Sequence, residues 1–306
     1  MVSGKKEFDI VIVIPIGPGS QIDFVIDTIL SYKYYTNSSY KFILADDSHQ
    51  NVGTFIQKKL HDCDVLVTPR SMGGWAGLYI NLCNAYKYAL ANYDFKAILK
   101  LDTDALIIGQ APEKTALLLF EKNPLAGIAG QYPFTYDGEP WNIKWPEQRI
   151  LNSTSSWKFI RRPFANLALI KYYKTALGNG YKTGESVFGG AYFISRNCVA
   201  KLNENGLLPQ YKFRSLNLGE DHIFSLLTKS IGYSLESLST NAGPMGCSWH
   251  GLPAPPDQLI KDEKKIIHST RYWENMDEKA IRTFFEKSRT KKKKLTYIQV
   301  NNIYFQ

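Results

Sequence analysis

Two aspartates one residue apart, Asp102 and Asp104, close an apolar run in the stretch KLDTDALIIG. In extended chain, side chains at i and i+2 point to the same side, with Cα atoms roughly 6–7 Å apart. Two carboxylates so placed repel each other unless a cation lies between them. Their hard oxygens suit Mg²⁺ or Mn²⁺ and leave room on the ion for phosphate oxygens. An Asp-x-Asp pair on a surface loop would mean little, but this one ends a buried-looking strand, Phe95 to Leu101. A second pair of acids, Glu220 and Asp221, opens the helical stretch GEDHIFSLLTKSIG. Acids at a helix start suit the helix dipole. A third pair, Asp46 and Asp47 in LADDS, reads as turn residues. Gly189 and Gly190 precede the strand AYFIS and permit close backbone approach to a ligand. His250 in SWHG, beside Trp249, reads as a packed histidine.

Two other motifs are excluded. GPGSQI, Gly17 to Ile22, lacks the third glycine of G-x-G-x-x-G, and Pro18 removes a backbone donor, so dinucleotide binding is not expected. The phosphatase pattern DxDx[TV] wants Thr or Val where Leu106 stands.

The elements that must position these groups alternate. FDIVIVIPIG, Phe8 to Gly17, is a continuous apolar run of the kind a buried parallel strand shows. Gln21 to Tyr34 has helical spacing, KFILADDS (Lys41 to Ser48) is a second strand and Val52 to Leu60 a short helix. DVLVTPR (Asp64 to Arg70) is a third strand, Leu78 to Leu90 a long helix and Phe95 to Leu101 the fourth strand. That rhythm predicts a mostly parallel sheet flanked by helices, with ligands outside the carboxyl ends of the strands. Gly17, Asp46, Asp47, Arg70, Asp102 and Asp104 all fall at such ends. Tyr136 to Glu185 is aperiodic and aromatic, with Trp141, Trp145 and Trp157, and its basic residues outnumber its acids. It is expected to be an insertion of loops and short helices over the active face.

The chain of 306 residues is 44% hydrophobic and 21% charged, an ordinary globular balance. The apolar run with Pro15 is too short to span a bilayer, and Asp9 falls where a secretion signal needs apolar residues. The four cysteines form no CxxC pair and are expected to be free thiols in a reducing cytoplasm. Net charge is +9. Arg282, Lys287, Arg289 and Lys291 to Lys294 stand against Glu286 alone, so the C-terminal segment carries most of it. Such a segment is a solvated tail or a contact for anionic lipid or nucleic acid.

The ordered set resembles the GT-A glycosyltransferase fold, closest to the family-two-type inverting enzymes. The matches are IPIG, LADDS, Pro69-Arg70 followed by a glycine pair, LDTDALI, Gly189-Gly190-Ala191, Gly219-Glu220-Asp221 and a histidine after the last core strand. They span roughly residues 8 to 252, and the QxxRW motif of processive synthases is absent. The resemblance implies a Rossmann-like α/β domain over 1–270, divided into a nucleotide-binding half (about 1–135), the insertion (about 136–185) and an acceptor half (about 186–252). A helical basic extension over 271–306 follows it. It further implies an Mn²⁺- or Mg²⁺-dependent, non-processive transfer from a nucleotide sugar to an acceptor hydroxyl. Asp102, Asp104 and His250 would hold the metal. Pro15, Asp46 or Asp47, Arg70, Asp102, Gly189 and Gly190 would bind the donor. Asp221 would be the base and Glu220 would orient the acceptor, which is a glycan, a lipid-linked saccharide or a hydroxylated nucleic-acid base. The expected location is the cytoplasm, with the tail offering a peripheral membrane contact. The alternatives are a sugar-nucleotide pyrophosphorylase, which wants a basic glycine-rich loop that Gly17 to Ile22 lacks, and a binding module without turnover.

Overall fold

The computed structural model describes residues 4–68, 75–155, 160, 162–239 and 243–303, excepting the side chains of 155 and of 291 onward. Arg70 and Trp157 therefore lie outside the described residues. The order is β1 (Lys6–Ile16), α1 (Ile22–Tyr35), β2 (Tyr40–Asp46), α2 (Val52–Leu60), β3 (Cys63–Val67), α3 (Ala76–Asn92) and β4 (Tyr93–Leu101). There follow β5 (Ala105–Ile107), α4 (Lys114–Lys122), β6 (Ala126–Gly130), α5 (Lys144–Ser155), α6 (Pro163–Gly178), β7 (Ala191–Ser195) and α7 (Arg196–Glu204). The last elements are α8 (Glu220–Ser230), β8 (Ser234–Ser237), β9 (Met245–Cys247), α9 (Pro256–Lys261), β10 (Ile266–His268), β11 (Tyr272–Trp273), β12 (Met276–Asp277) and α10 (Glu278–Ile303).

The main sheet has seven strands in the order β3-β2-β1-β4-β7-β6-β8. β3, β2, β1 and β4 run parallel, β7 runs against both β4 and β6, and β8 follows β6 in parallel. The expected mixed α/β architecture with a mostly parallel sheet is the one observed. Its apolar runs are continuous because both faces are covered, and the period of two sorts them. Val11 and Val13 of β1, with Ile43 and Ala45 of β2, join the core under α3, α6, α7 and α8. Ile10, Ile12, Ile14, Phe42 and Leu44 join the other core, under α1 and α2.

A small second sheet, β5-β10-β9, is built on the chain just past the Asp-x-Asp stretch. β10 pairs with β5 so that His268 faces Ala105, and with β9 so that His268 faces Cys247. α9 and the first turns of α10 close over it through Leu259, Ile281 and Phe285.

The C-terminal segment differs from a solvated tail over its first half. Arg282 and Arg289 of α10 are buried and both pair with Asp27 of α1. The insertion differs too: α6 is a full helix of 16 residues, packed on the core through Ala165, Leu169 and Ala176. All four cysteines are free and buried. Among the described residues no helix is long and apolar enough to cross a membrane.

Candidate active site

Parallel strands end together. Ile16 of β1 lies beside Asp46 of β2, and Asp46 beside Val67 of β3, while β4 delivers Leu101 and then Asp102 to the same edge. β7 runs the opposite way, so its amino end meets the carboxyl end of β4, with Ala191 opposite Leu101. That reversal carries Gly189 and Gly190 to the acids, and the Asp102 N–H donates to the Gly190 carbonyl at 3.0 Å. The amino end of α8 completes the group with Glu220 and Asp221.

Tightness explains the glycines. A Cβ on Gly190 would sit 2.5 Å from the His268 ring, one on Gly189 2.9 Å from Glu220 Oε1, and one on Gly219 2.5 Å from Asp221 Oδ1. No side chain fits at these three positions without displacing a functional group.

Asp102, Asp104 and His268 offer ligand atoms all within 4.8 Å of one another. His268 Nε2 is 3.2 Å from Asp104 Oδ1 and 3.9 Å from Asp102 Oδ2. Its Nδ1 lies 2.9 Å from the Ser248 carbonyl oxygen. A carbonyl only accepts, so Nδ1 carries the proton and Nε2 faces the two carboxylates. Two carboxylates and one imidazole nitrogen form a donor set that fits Mn²⁺ or Mg²⁺.

The histidine at the aspartates is thus His268, and His250 is exposed, beside Trp249 at a ring distance of 6.1 Å. The reason is register. β10 is the last strand beside β5, and it ends on His268 opposite Ala105, next to Asp104. His250 lies on the loop beyond β9. A sequence signal existed in IIHST, an apolar triplet ending in histidine, but its pairing with β5 is visible only in three dimensions.

The charges are arranged around a fully buried lysine. Lys100 Nζ is 2.6 Å from Asp102 Oδ1 and 3.3 Å from Glu220 Oε1, and it donates to the Gly189 carbonyl. Burial pulls its ammonium down, but the attraction of Asp102 and Glu220 outweighs this and holds it charged. The two aspartates diverge. Burial and the neighbouring Asp104 raise the Asp102 carboxyl against the pull of Lys100. Burial also acts to raise Asp104, yet His268 and Arg271 together hold it well below the usual carboxylate range. Burial opposes the charge on His268, and Asp104 reverses the effect, so its imidazole is raised. Burial pushes Glu220 up to about 7, against Lys100 and with help from Asp221 and Asp102.

These groups wall a cavity of about 410 Å³, within the range of small-ligand sites. Asp102, Gly189, Gly190, Glu220, Asp221, His268 and Arg271 line it, and Trp75, Trp145 and Trp249 rim it. Trp75 and Trp145 are about half exposed, with ring centroids 5.2 Å apart. Trp75 sits at φ +57°, an outlier for a bulky residue. A neighbouring hollow of about 220 Å³ lies between the β1–α1 turn (Pro18 to Gln21) and Asp104, and Arg271 lines both spaces. Larger hollows of about 670 and 900 Å³ touch none of the acids or glycines named here.

The structure separates Asp46 from Asp47. Asp46 Oδ1 accepts the Ser48 N–H at 2.8 Å and its Oδ2 accepts the Gly53 N–H at 2.7 Å. Its carboxylate is occupied in turning the chain into α2. Asp47 is buried at the strand ends, with Oδ1 3.6 Å from His49 Nε2. Pro15 is buried inside β1 opposite Ala45, and the Pro18–Gln21 turn after it borders the smaller hollow. Trp141 is core, packed on Phe188 with centroids 5.2 Å apart. Lys100, His268, Arg271 and Trp75 are the site residues that sequence reasoning passed over.

No protein-family model matches the chain, and no curated protein does. A crystal structure of residues 1–349 of TarS from S. aureus aligns with a TM-score of 0.47 at 13% identity. The alignment covers 86% of this chain and 60% of that one.

Proposed function

We propose that this chain transfers a glycosyl group from a nucleotide sugar to an acceptor hydroxyl, with inversion and with a divalent cation. The observation that carries this reading is the meeting of Asp102 and His268 with Glu220 and Asp221 across one cavity at the carboxyl end of a parallel strand, with Asp104 within ligand distance of the first two. Asp102, Asp104 and His268 would hold Mn²⁺ or Mg²⁺. A divalent ion there supplies neutralisation of the leaving diphosphate.

The chain's own residues do the rest. Asp47 lies at the strand ends that face the nucleoside, and Arg70 is assigned to the same donor contacts. Arg271, between the two hollows, adds a cation on the path between the nucleotide and the transferred sugar. Gly189 and Gly190 let the sugar approach the backbone. Asp221 accepts the acceptor proton as that oxygen forms its bond to the anomeric carbon and the bond to the diphosphate oxygen breaks. Its Oδ1 is steadied by the His222 N–H at 2.9 Å. Glu220, tied to Lys100, keeps the lysine placed against Asp102 and positions the acceptor. The Trp75 and Trp145 rings rim the cavity and offer it apolar faces.

The test is binding and hydrolysis of a panel of UDP-, GDP- and TDP-sugars, with and without Mn²⁺, on the wild type and on Asp104→Ala. One donor bound and hydrolysed only with metal, and lost in the variant, is the expected result. Absence of metal-dependent binding for every donor overturns the proposal. The anomeric configuration of the product, read by NMR, tests inversion.

A further inference from the structure

The insertion leaves large apolar side chains uncovered. Ile160, Phe164 and Leu167 are 77%, 74% and 57% exposed. Phe164 and Leu167 stand three residues apart on the first turns of α6, and Ile160 precedes that helix. The opposite side of that helix is committed, with Ala165, Asn166, Leu169 and Ala176 buried. Leu151 of α5, which packs against α6, is exposed as well.

Charge says what covers this face. From Arg149 to Gly184 the sequence contains seven basic residues and no acid. Arg162, Lys171 and Lys174 are exposed on α6 itself. A second copy of the chain docked through the same face would set cation against cation. A nucleic acid would satisfy the cations but would leave aliphatic Ile160, Leu167 and Leu151 against phosphate. An anionic lipid surface satisfies both, since headgroup phosphates meet the cations and the acyl boundary receives the apolar side chains.

We propose that the α5–α6 face is a peripheral docking surface for an anionic lipid bilayer. It does not depend on the transfer reaction. It places the chain on the membrane through the insertion and not through the lysine run at the C-terminus. α6 also packs on α8, the helix that carries Glu220 and Asp221, so a docked chain holds its cavity near the lipid surface.

The test is co-sedimentation of the full chain with vesicles of phosphatidylcholine alone and of phosphatidylcholine mixed with phosphatidylglycerol. Three chains are compared: the wild type, the pair Ile160→Glu with Phe164→Glu, and a chain with Lys291→Gln through Lys294→Gln. Both side chains of the pair are exposed, and circular dichroism verifies the fold. The wild type is expected to bind the mixed vesicles, to bind neutral ones weakly and to lose binding with salt. The glutamate pair is expected to lose about tenfold or more, as removal of a buried aromatic contact requires. The glutamine chain is expected to keep most of its binding. No vesicle binding, equal binding to both vesicle types, or binding lost only in the glutamine chain overturns the proposal. A wild-type dimer in lipid-free buffer that the glutamate pair dissolves also overturns it, in favour of a second copy.

Discussion

At the scale of single residues, the site is governed by how few cations hold many acids. Lys100 is the only positive charge between Asp102 and Glu220 among the described residues, and it is fully buried. His268 and Arg271 share that office for Asp104. This assigns a definite outcome to the choice between two histidines. His268→Ala is expected to weaken Mn²⁺ binding, measured by titration calorimetry, by more than the roughly 10–100-fold that loss of an outer-shell partner costs. His250→Ala is expected to leave it unchanged. Glu220 sets a pH dependence. Its folded value of about 7 lies above the ordinary 4.5, so the folded chain holds this proton more tightly than the unfolded one. The contribution is fully present below pH 4.5 and is lost as pH rises through 7. Relative to Glu220→Gln, the wild type is therefore expected to lose up to about 3 kcal/mol across that window, read from urea midpoints at each pH.

At the scale of elements, one reversed strand does most of the assembly. Had β7 run parallel to β4, its glycines would lie at the far edge of the sheet. Running antiparallel, it presses Gly190 against the ring of His268, which β10 delivers from the second sheet. Gly190→Ala is expected to cost about 1–3 kcal/mol in denaturant unfolding, the range for overpacking a tight site. Because the clash is with the ring itself, the same substitution is expected to weaken Mn²⁺ binding. A loss of stability with unchanged metal affinity would show that the ring yields elsewhere.

At the scale of the whole molecule, the C-terminal helix is tied to the Asp-x-Asp turn. Arg282 donates from Nη2 to the Thr103 carbonyl at 2.7 Å, from Nη1 to Asp27 at 3.0 Å and from Nε to Glu278 at 2.9 Å. Thr103 is the residue between the two aspartates. Thr270 holds the next carbonyl, that of Asp104, with its N–H at 2.8 Å and its hydroxyl at 2.9 Å. The basic segment thus begins as a brace for the Asp-x-Asp turn. Arg282→Ala is expected to cost about 1–3 kcal/mol in thermal or denaturant unfolding, since it strands partly buried acceptors. It is also expected to lower Mn²⁺ affinity although Arg282 touches no ligand atom. An unchanged affinity would confine its role to holding α10.

What the sequence determined by itself was whatever depends on neighbours along the chain. The apolar runs of β1, β2 and β4, the helical spacing of α1 and α3, and the acids at strand ends and at the start of α8 are local patterns. Local patterns survive because backbone periodicity and the edge of a parallel sheet act on them directly. The tertiary structure decided everything that needed register between distant segments. It placed His268 and not His250 beside Asp104, because strand pairing and not order along the chain sets which residue faces Ala105. It turned Lys100 inward, a charge that burial forbids unless acids meet it, here Asp102 just past its own strand and Glu220 of α8. Of the two adjacent acids it gave the turn to Asp46, whose carboxylate accepts the N–H groups of Ser48 and Gly53. It also left Phe164 and Ile160 in solvent. Composition names the side chains available, and only packing decides which of them remain uncovered.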